Sequence, residues 1–122
     1  MSETLAMEVA PFNIRVLIVE PGAFRTENIY INKFDTSNPI PDYDDVRSGQ
    51  WGAIHGKQPG DPVKAMKIVV DIVRGEGVGE GREWPLYLVL GEDAERDVRN
   101  KCAKILNHLD EWQDIIRDVN LV

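Results

Sequence analysis

The sequence predicts an α/β protein in which two parallel strands are joined by a helical crossover, in the order α-β-loop-α-β-α. Three observations lead there. Residues 13–19, Asn-Ile-Arg-Val-Leu-Ile-Val, carry β-branched side chains in a continuous run, the pattern of a strand covered on both faces. Residues 61–75 open with Asp61-Pro62, close with Arg74-Gly75, and hold apolar residues at helical spacing between them. Residues 84–90, Trp-Pro-Leu-Tyr-Leu-Val-Leu, form a second apolar run that stops at Gly91. Strand, helix and strand in that order pack as a right-handed crossover with the strands parallel.

Each element has its own signal. Met1, Leu5, Ala6 and Val9 recur at helical spacing until Pro11 breaks the pattern. Only Ser2 could cap that helix, so the chain is expected to open partway through an element. The first strand ends at Glu20-Pro21-Gly22, where Pro21 removes a ladder donor and Gly22 permits a turn or a close ligand approach. Residues 28–60 read as a long loop with short helical turns. Pro39, Pro41 and the Asp42-Tyr43-Asp44-Asp45 cluster break any periodicity, and Tyr30, Trp51 and Ile54 are isolated anchors. In the central helix Val63, Met66, Val69, Val70 and Val73 form one stripe, widened by Ile68 and Ile72. The last helix is expected to be capped by Asp93. Its apolar side carries Val98, Cys102, Ile105, Leu109, Trp112, Ile116 and Val119.

Composition narrows the function classes. A chain of 122 residues, 43% hydrophobic and 29% charged, suits one domain with a packed core. Its net charge of −7 argues against nucleic acid and against an anionic membrane surface, both of which draw on clustered Lys and Arg. No stretch approaches the ~20 apolar residues of a membrane-spanning helix. The opening residues lack the basic and apolar regions of a secretory signal. A lone Cys102 fits a reducing compartment, so a soluble cytoplasmic protein is the expectation.

Few residues carry an independent chemical signal. His55 and His108 have no partner at metal-ligand spacing, and Asp42, Asp44 and Asp45 lack the Gly and terminal Glu of a calcium loop. No metal site is expected. Ser2, Ser37 and Ser48 lack an accompanying His-acid signature. Cys102 lies on the apolar stripe and reads as a small core residue. The run 75–81, Gly-Glu-Gly-Val-Gly-Glu-Gly, follows a helix, misses dinucleotide spacing and carries carboxylates that would repel a pyrophosphate. It reads as a flexible linker.

Residues 2–26, Ser-Glu-Thr-Leu-Ala-Met-Glu-Val-Ala-Pro-Phe-Asn-Ile-Arg-Val-Leu-Ile-Val-Glu-Pro-Gly-Ala-Phe-Arg-Thr, resemble a segment of the short-chain dehydrogenases/reductases. In that family a helix and an Ala-Pro-Phe-Gly-like turn feed the sixth strand. That strand ends in Pro-Gly, with a Thr four residues after the Gly, here Pro21, Gly22 and Thr26. The resemblance continues through Gly60-Asp61-Pro62-Val63-Lys64-Ala65 and Pro85-Leu86-Tyr87-Leu88-Val89-Leu90-Gly91-Glu92-Asp93-Ala94 to the closing helix with Trp112. Four motifs in the family's order cover most of the chain.

The resemblance implies a partial Rossmann-like, doubly wound unit. Residues 1–122 would be a single partial domain matching the C-terminal, substrate-side half of such an enzyme. It implies an NAD(P) cofactor, a small-molecule carbonyl or alcohol substrate, and contact with the nicotinamide end through Pro21, Gly22, Phe24 and Thr26. The backbone near Phe24 and the Thr26 hydroxyl would meet the carboxamide. The family's Gly-rich fingerprint and Tyr-x-x-x-Lys pair do not occur in this sequence and by resemblance lie upstream. Tyr30 and Lys33 do not replace the pair, because their step is three and the fourth position holds Phe34. No catalytic residue is therefore assigned, and the chain is expected to be inactive alone. It is also expected to form homo-oligomers or to associate with a full-length relative, using residues 61–74 and 84–90. The first strand would pair on one edge only, leaving the other as a template for association.

Overall fold

The computed structural model describes residues 2–26, 40–46, 49 and 56–121. Two parallel strands form an open sheet, with helices before, between and after them. Helix α1 (Ser2–Val9) stops where Pro11 enters, in a tight 3-10 turn over Ala10–Phe12. Asn13 closes that turn at φ 58, a left-handed conformation that Asn tolerates. Strand β1 (Ile18–Pro21) pairs with β2 (Tyr87–Leu90) in the register Ile18 to Tyr87 through Pro21 to Leu90. Helix α2 (Pro62–Arg74) is the crossover between them. Helices α3 (Glu92–Glu111) and α4 (Gln113–Arg117) follow β2.

Helix α2 starts and stops where the sequence places it. The Asp61 carboxylate accepts from the backbone N–H of Val63 at 2.9 Å and of Lys64 at 3.3 Å, and Pro62 occupies the first helical position. Gly75 ends the helix at φ 69.

Both strands are shorter than their apolar runs, and β1 lies further along the chain. The Ile18 N–H donates to Leu86 and the Gly22 N–H to Leu90, each at 2.8 Å, so even-numbered residues of β1 face the ladder. Pro21 therefore directs its nitrogen to the opposite edge and extends the strand without costing a ladder bond. Before Ile18 the pairing is replaced by side-chain contacts. Trp84 Nε1 donates to the Val16 carbonyl at 2.8 Å, and the Arg15 guanidinium lies 4.1 Å from the Trp84 ring centre.

Among the described residues the buried apolar side chains are Ala65 and Leu90. Val19, Leu88 and Leu90 share the sheet face toward α2, where Ala65, Ile68, Val69 and Ile72 are buried or half-buried. By alternation Tyr87 points to the other face, where the Glu3 carboxylate accepts from its hydroxyl and raises its pKa. Coverage on both faces is incomplete: Ile18 and Val19 are half-buried, while Glu20 and Pro21 are exposed. The single stripe expected on α2 is divided. Positions 65, 68, 69 and 72 face the sheet, whereas Val63, Met66, Val70 and Val73 are exposed.

Three further expectations are corrected. Residues 75–81 are not a loose linker: Gly77–Gly79 forms a 3-10 turn with Gly79 buried. The Asp71 carboxylate holds that turn, receiving the Lys67 ammonium at 2.7 Å and the Val78 N–H at 3.5 Å. The last helix is divided at Trp112, and its apolar stripe is exposed, including Ile105, Leu109, Trp112, Ile116 and the Cys102 thiol expected in the core. Asp93 does not cap α3, because the cap position is Gly91 and no side chain bonds there.

Candidate functional site

The turn after β1 lies at the carboxyl ends of the two parallel strands, the end where open α/β sheets hold ligands. Its path is set by three neighbours. The ladder ends with the Gly22 N–H on the Leu90 carbonyl. The next donor, Ala23 N–H, goes to Asp93 Oδ2 at 2.6 Å. The Ala23 carbonyl then accepts from the Gly60 N–H at 3.0 Å, and the Arg25 N–H donates to the Gly60 carbonyl at 2.9 Å. This last pair makes a short parallel bridge between Phe24 and Gly60, which ties the turn to the entry of α2.

Pro21, Gly22, Phe24 and Thr26, the four residues singled out from the sequence, line one cavity of about 300 Å³. Val19, Pro62, Ala65, Met66 and Leu90 complete its wall. The lining is almost wholly apolar, and the Thr26 hydroxyl is the side-chain hydrogen-bonding group within it. A flat aromatic ring with one polar substituent suits such a wall. A pyrophosphate does not, because the wall offers it no cation and the adjoining surface sets Glu92 and Asp93 beside its one cation, Arg96. The residues present therefore suit a flat ring and not a phosphate group.

The Asp93 carboxyl is held below the ordinary carboxylate range, chiefly by the Ala23 N–H. The Ala94 N–H, its own N–H and the Arg96 charge add to this against partial burial. Beside the turn, Arg25 Nη2 donates to the Gln58 carbonyl at 3.3 Å, and Gln58 is buried. Arg25, Gln58, Gly60 and Asp61 line a neighbouring polar cavity of about 330 Å³.

A cavity of about 470 Å³ lies toward the amino ends of the strands, among Arg15, Ile72, Trp84 and Leu88. Its wall is the Trp84 anchor that fixes the entry to β1, and it sits at the end opposite the turn after β1. Among the described residues no three His, Cys, Asp or Glu side chains converge on one point. His55, Tyr30, Lys33, Ser37 and Ser48 lie outside the described residues. No described helix is long and apolar enough to cross a membrane.

Sequence reasoning missed Asp93, Gly60, Ala65, Met66 and Leu90 as parts of this site. Gly22 and Gly91 were the available signal for Asp93, since two strands each ending in glycine leave room for a side chain between them.

Comparison with known proteins agrees with the fold. The chain is 31% identical over 113 residues to an uncharacterized oxidoreductase of Schizosaccharomyces pombe, covering 90% of this chain and 36% of that protein. It is 30% identical over 122 residues to an oxidoreductase of Botryotinia fuckeliana, covering 93% of this chain and 40% of that protein. A crystal structure of a short-chain dehydrogenase from Streptomyces avermitilis matches with a TM-score of 0.71 and 37% identity, over 98% of this chain and 42% of that one. No family model matches. The structure is thus a partial Rossmann-like α/β unit, similar in fold to part of a short-chain dehydrogenase. Over its own length the chain is related to the short-chain dehydrogenases, and it spans about two fifths of the relatives it matches.

Proposed function

We propose that this chain is the substrate-side part of an NAD(P)-dependent short-chain oxidoreductase, acting on a carbonyl or alcohol. The observation that carries the reading is the shared cavity: Pro21, Gly22, Phe24 and Thr26 line it together at the carboxyl ends of the strands. When bound, the dinucleotide would supply or accept the hydride. This chain's own part is to hold the nicotinamide end. Val19, Phe24, Met66 and Leu90 would exclude water from the ring face, and the Thr26 hydroxyl with the backbone near Phe24 would orient the carboxamide. Orientation alone does not move the proton that carbonyl reduction requires. With neither the Tyr-x-x-x-Lys pair nor a dinucleotide fingerprint in its sequence, the chain is expected to bind weakly and turn over nothing alone.

The test is a titration of the labelled chain with NADH and NADPH, followed by amide chemical shifts, beside a turnover assay on a panel of carbonyls. Shifts confined to residues 21–26 and the start of α2, without turnover, support the proposal. Turnover by the purified chain refutes the assignment of catalysis to residues outside it.

A second reading has its own observation. The outer stripe of α2 is exposed, with Val63 at 77% and Met66 at 56%, as on a surface that docks onto another polypeptide. In that reading the chain is a non-enzymatic module binding a full-length relative through α2 and β2. Absence of co-elution with the Streptomyces avermitilis enzyme at micromolar concentration counts against it.

A further inference from the structure

Asp93 stands in the first turn of α3, yet its carboxylate serves a different element. Oδ2 receives the Ala23 N–H at 2.6 Å, across 70 residues of sequence. The carboxylate fills the gap between the carboxyl ends of the two strands. A Cβ at Gly22 would overlap it, and a Cβ at Gly91, where φ is 111, would stand 2.6 Å from Oδ1. Two glycines thus leave the space that one carboxylate occupies. The donor it takes is the first one past the ladder, because Gly22 is the last residue of β1's chain to donate to β2. From the other side, Gly60 engages the Ala23 carbonyl at 3.0 Å and the Arg25 N–H at 2.9 Å. The peptides on both sides of Ala23 are therefore held, one by Asp93 and the other by Gly60. Alternation then turns the Phe24 N–H away from Gly60.

We infer that Asp93 is a positioning residue for the cofactor-side turn: wedged between Gly22 and Gly91, it fixes the Ala23 peptide and through it the aim of the Phe24 backbone and Thr26. This rests on the proposed function in one respect, that the turn is the nicotinamide contact. Asp93 itself need not touch the cofactor. Its carboxyl is held in the ionised form chiefly by the bond it makes to Ala23, so the contact is charge-assisted at neutral pH.

The test uses the complete chain, ¹⁵N-labelled, with Asp93→Ala, the isosteric Asp93→Asn and Gly22→Ala. The wild-type Ala23 amide proton should resonate downfield and exchange slowly. In D93A its exchange should accelerate roughly tenfold or more, the measure of a lost hydrogen bond to a charged group. The Arg25 and Gly60 amides should follow, while helix content stays near wild type. G22A should displace the carboxylate and reproduce the Ala23 change with Asp93 still present, and D93N should give the same change in smaller measure. An Ala23 amide that is unaltered in D93A or D93N overturns the inference, as does a change spread evenly over all amides. NADH supplies the functional arm. Where wild type binds it, D93A should bind several-fold more weakly, and equal affinity overturns the positioning role. Where wild type does not bind, the proposed function fails, and the amide arm alone still decides whether Asp93 sets the turn.

Discussion

The outer face of α2 makes a quantitative prediction about association. Val63, Met66, Val70 and Val73 are 77%, 56%, 42% and 48% exposed and recur along one side of the helix. Complete burial of such a side chain is worth about 1.5–3 kcal/mol, so covering what these four still expose yields about 3–7 kcal/mol per copy. In a two-fold dimer both copies contribute, about 7–13 kcal/mol in all, against an association cost of about 4–15 kcal/mol. The two ranges overlap, so the stripe of α2 offsets the association cost, and the exposed Ile105, Leu109 and Trp112 of the last helices add the surplus. Replacing Val70 and Val73 with Glu removes half of the stripe and puts like charges face to face across a two-fold axis. The midpoint of self-association, followed by sedimentation velocity up to roughly 100 µM, should rise at least about tenfold. Binding of a hydrophobic dye should fall with it. A wild-type chain that sediments as a monodisperse monomer and binds no dye refutes the reasoning, as does a double variant that associates like wild type.

Three further outcomes follow from local contacts. Asp61→Ala removes the acceptor of the Val63 and Lys64 N–H groups and should cost about 1 kcal/mol, read as a lower thermal midpoint with weaker helical dichroism. Gly79→Ala would set a Cβ 2.7 Å from the Asp71 carbonyl oxygen and 2.8 Å from the Ile72 Cα. Backbone cannot yield there, so a loss of about 1–3 kcal/mol in urea unfolding is expected. Asp71 is held below the ordinary carboxylate range chiefly by its hydrogen bond from Lys67, which outweighs burial, with the Val78 N–H and the Lys67 and Arg74 charges assisting. Its stabilisation is therefore complete above the ordinary carboxyl pKa and is lost as pH falls through the depressed value of the folded chain. Melting midpoints measured on acidification should drop less steeply in Asp71→Asn than in wild type, and equal slopes would contradict the assignment.

The legible features were those whose cause lies within a few residues. Asp61-Pro62 and Arg74-Gly75 mark the ends of α2 because caps and a left-handed closure act locally. Pro11 ends α1 for the same kind of reason. The parallel pairing was legible from element order alone. Strand length was not, since it depends on where Trp84 reaches across to Val16 and replaces the ladder. The turn over residues 77–79 was missed because its anchor, the buried Asp71 carboxylate, comes from the preceding helix. Asp93 was misplaced because a carboxylate two residues past a glycine reads as a cap in one dimension, while its partner stands 70 residues away.

The same distinction separates the turn from the apolar faces. Among the described residues, the backbone contacts that shape residues 22–25 come from Leu90, Gly60 and Asp93. By contrast, the outer side of α2, the Ile105–Leu109–Trp112 stripe and the far edge of β1 meet no cover among the described residues. A continuous apolar strand and a helix apolar on two sides are what a larger sheet with helices on both faces requires. The relatives supply such an excess of chain, since this one spans 36–42% of their lengths. Among the described residues the turn is thus held by contacts made within the chain, while the outer side of α2 and the stripe of the last helices stay open.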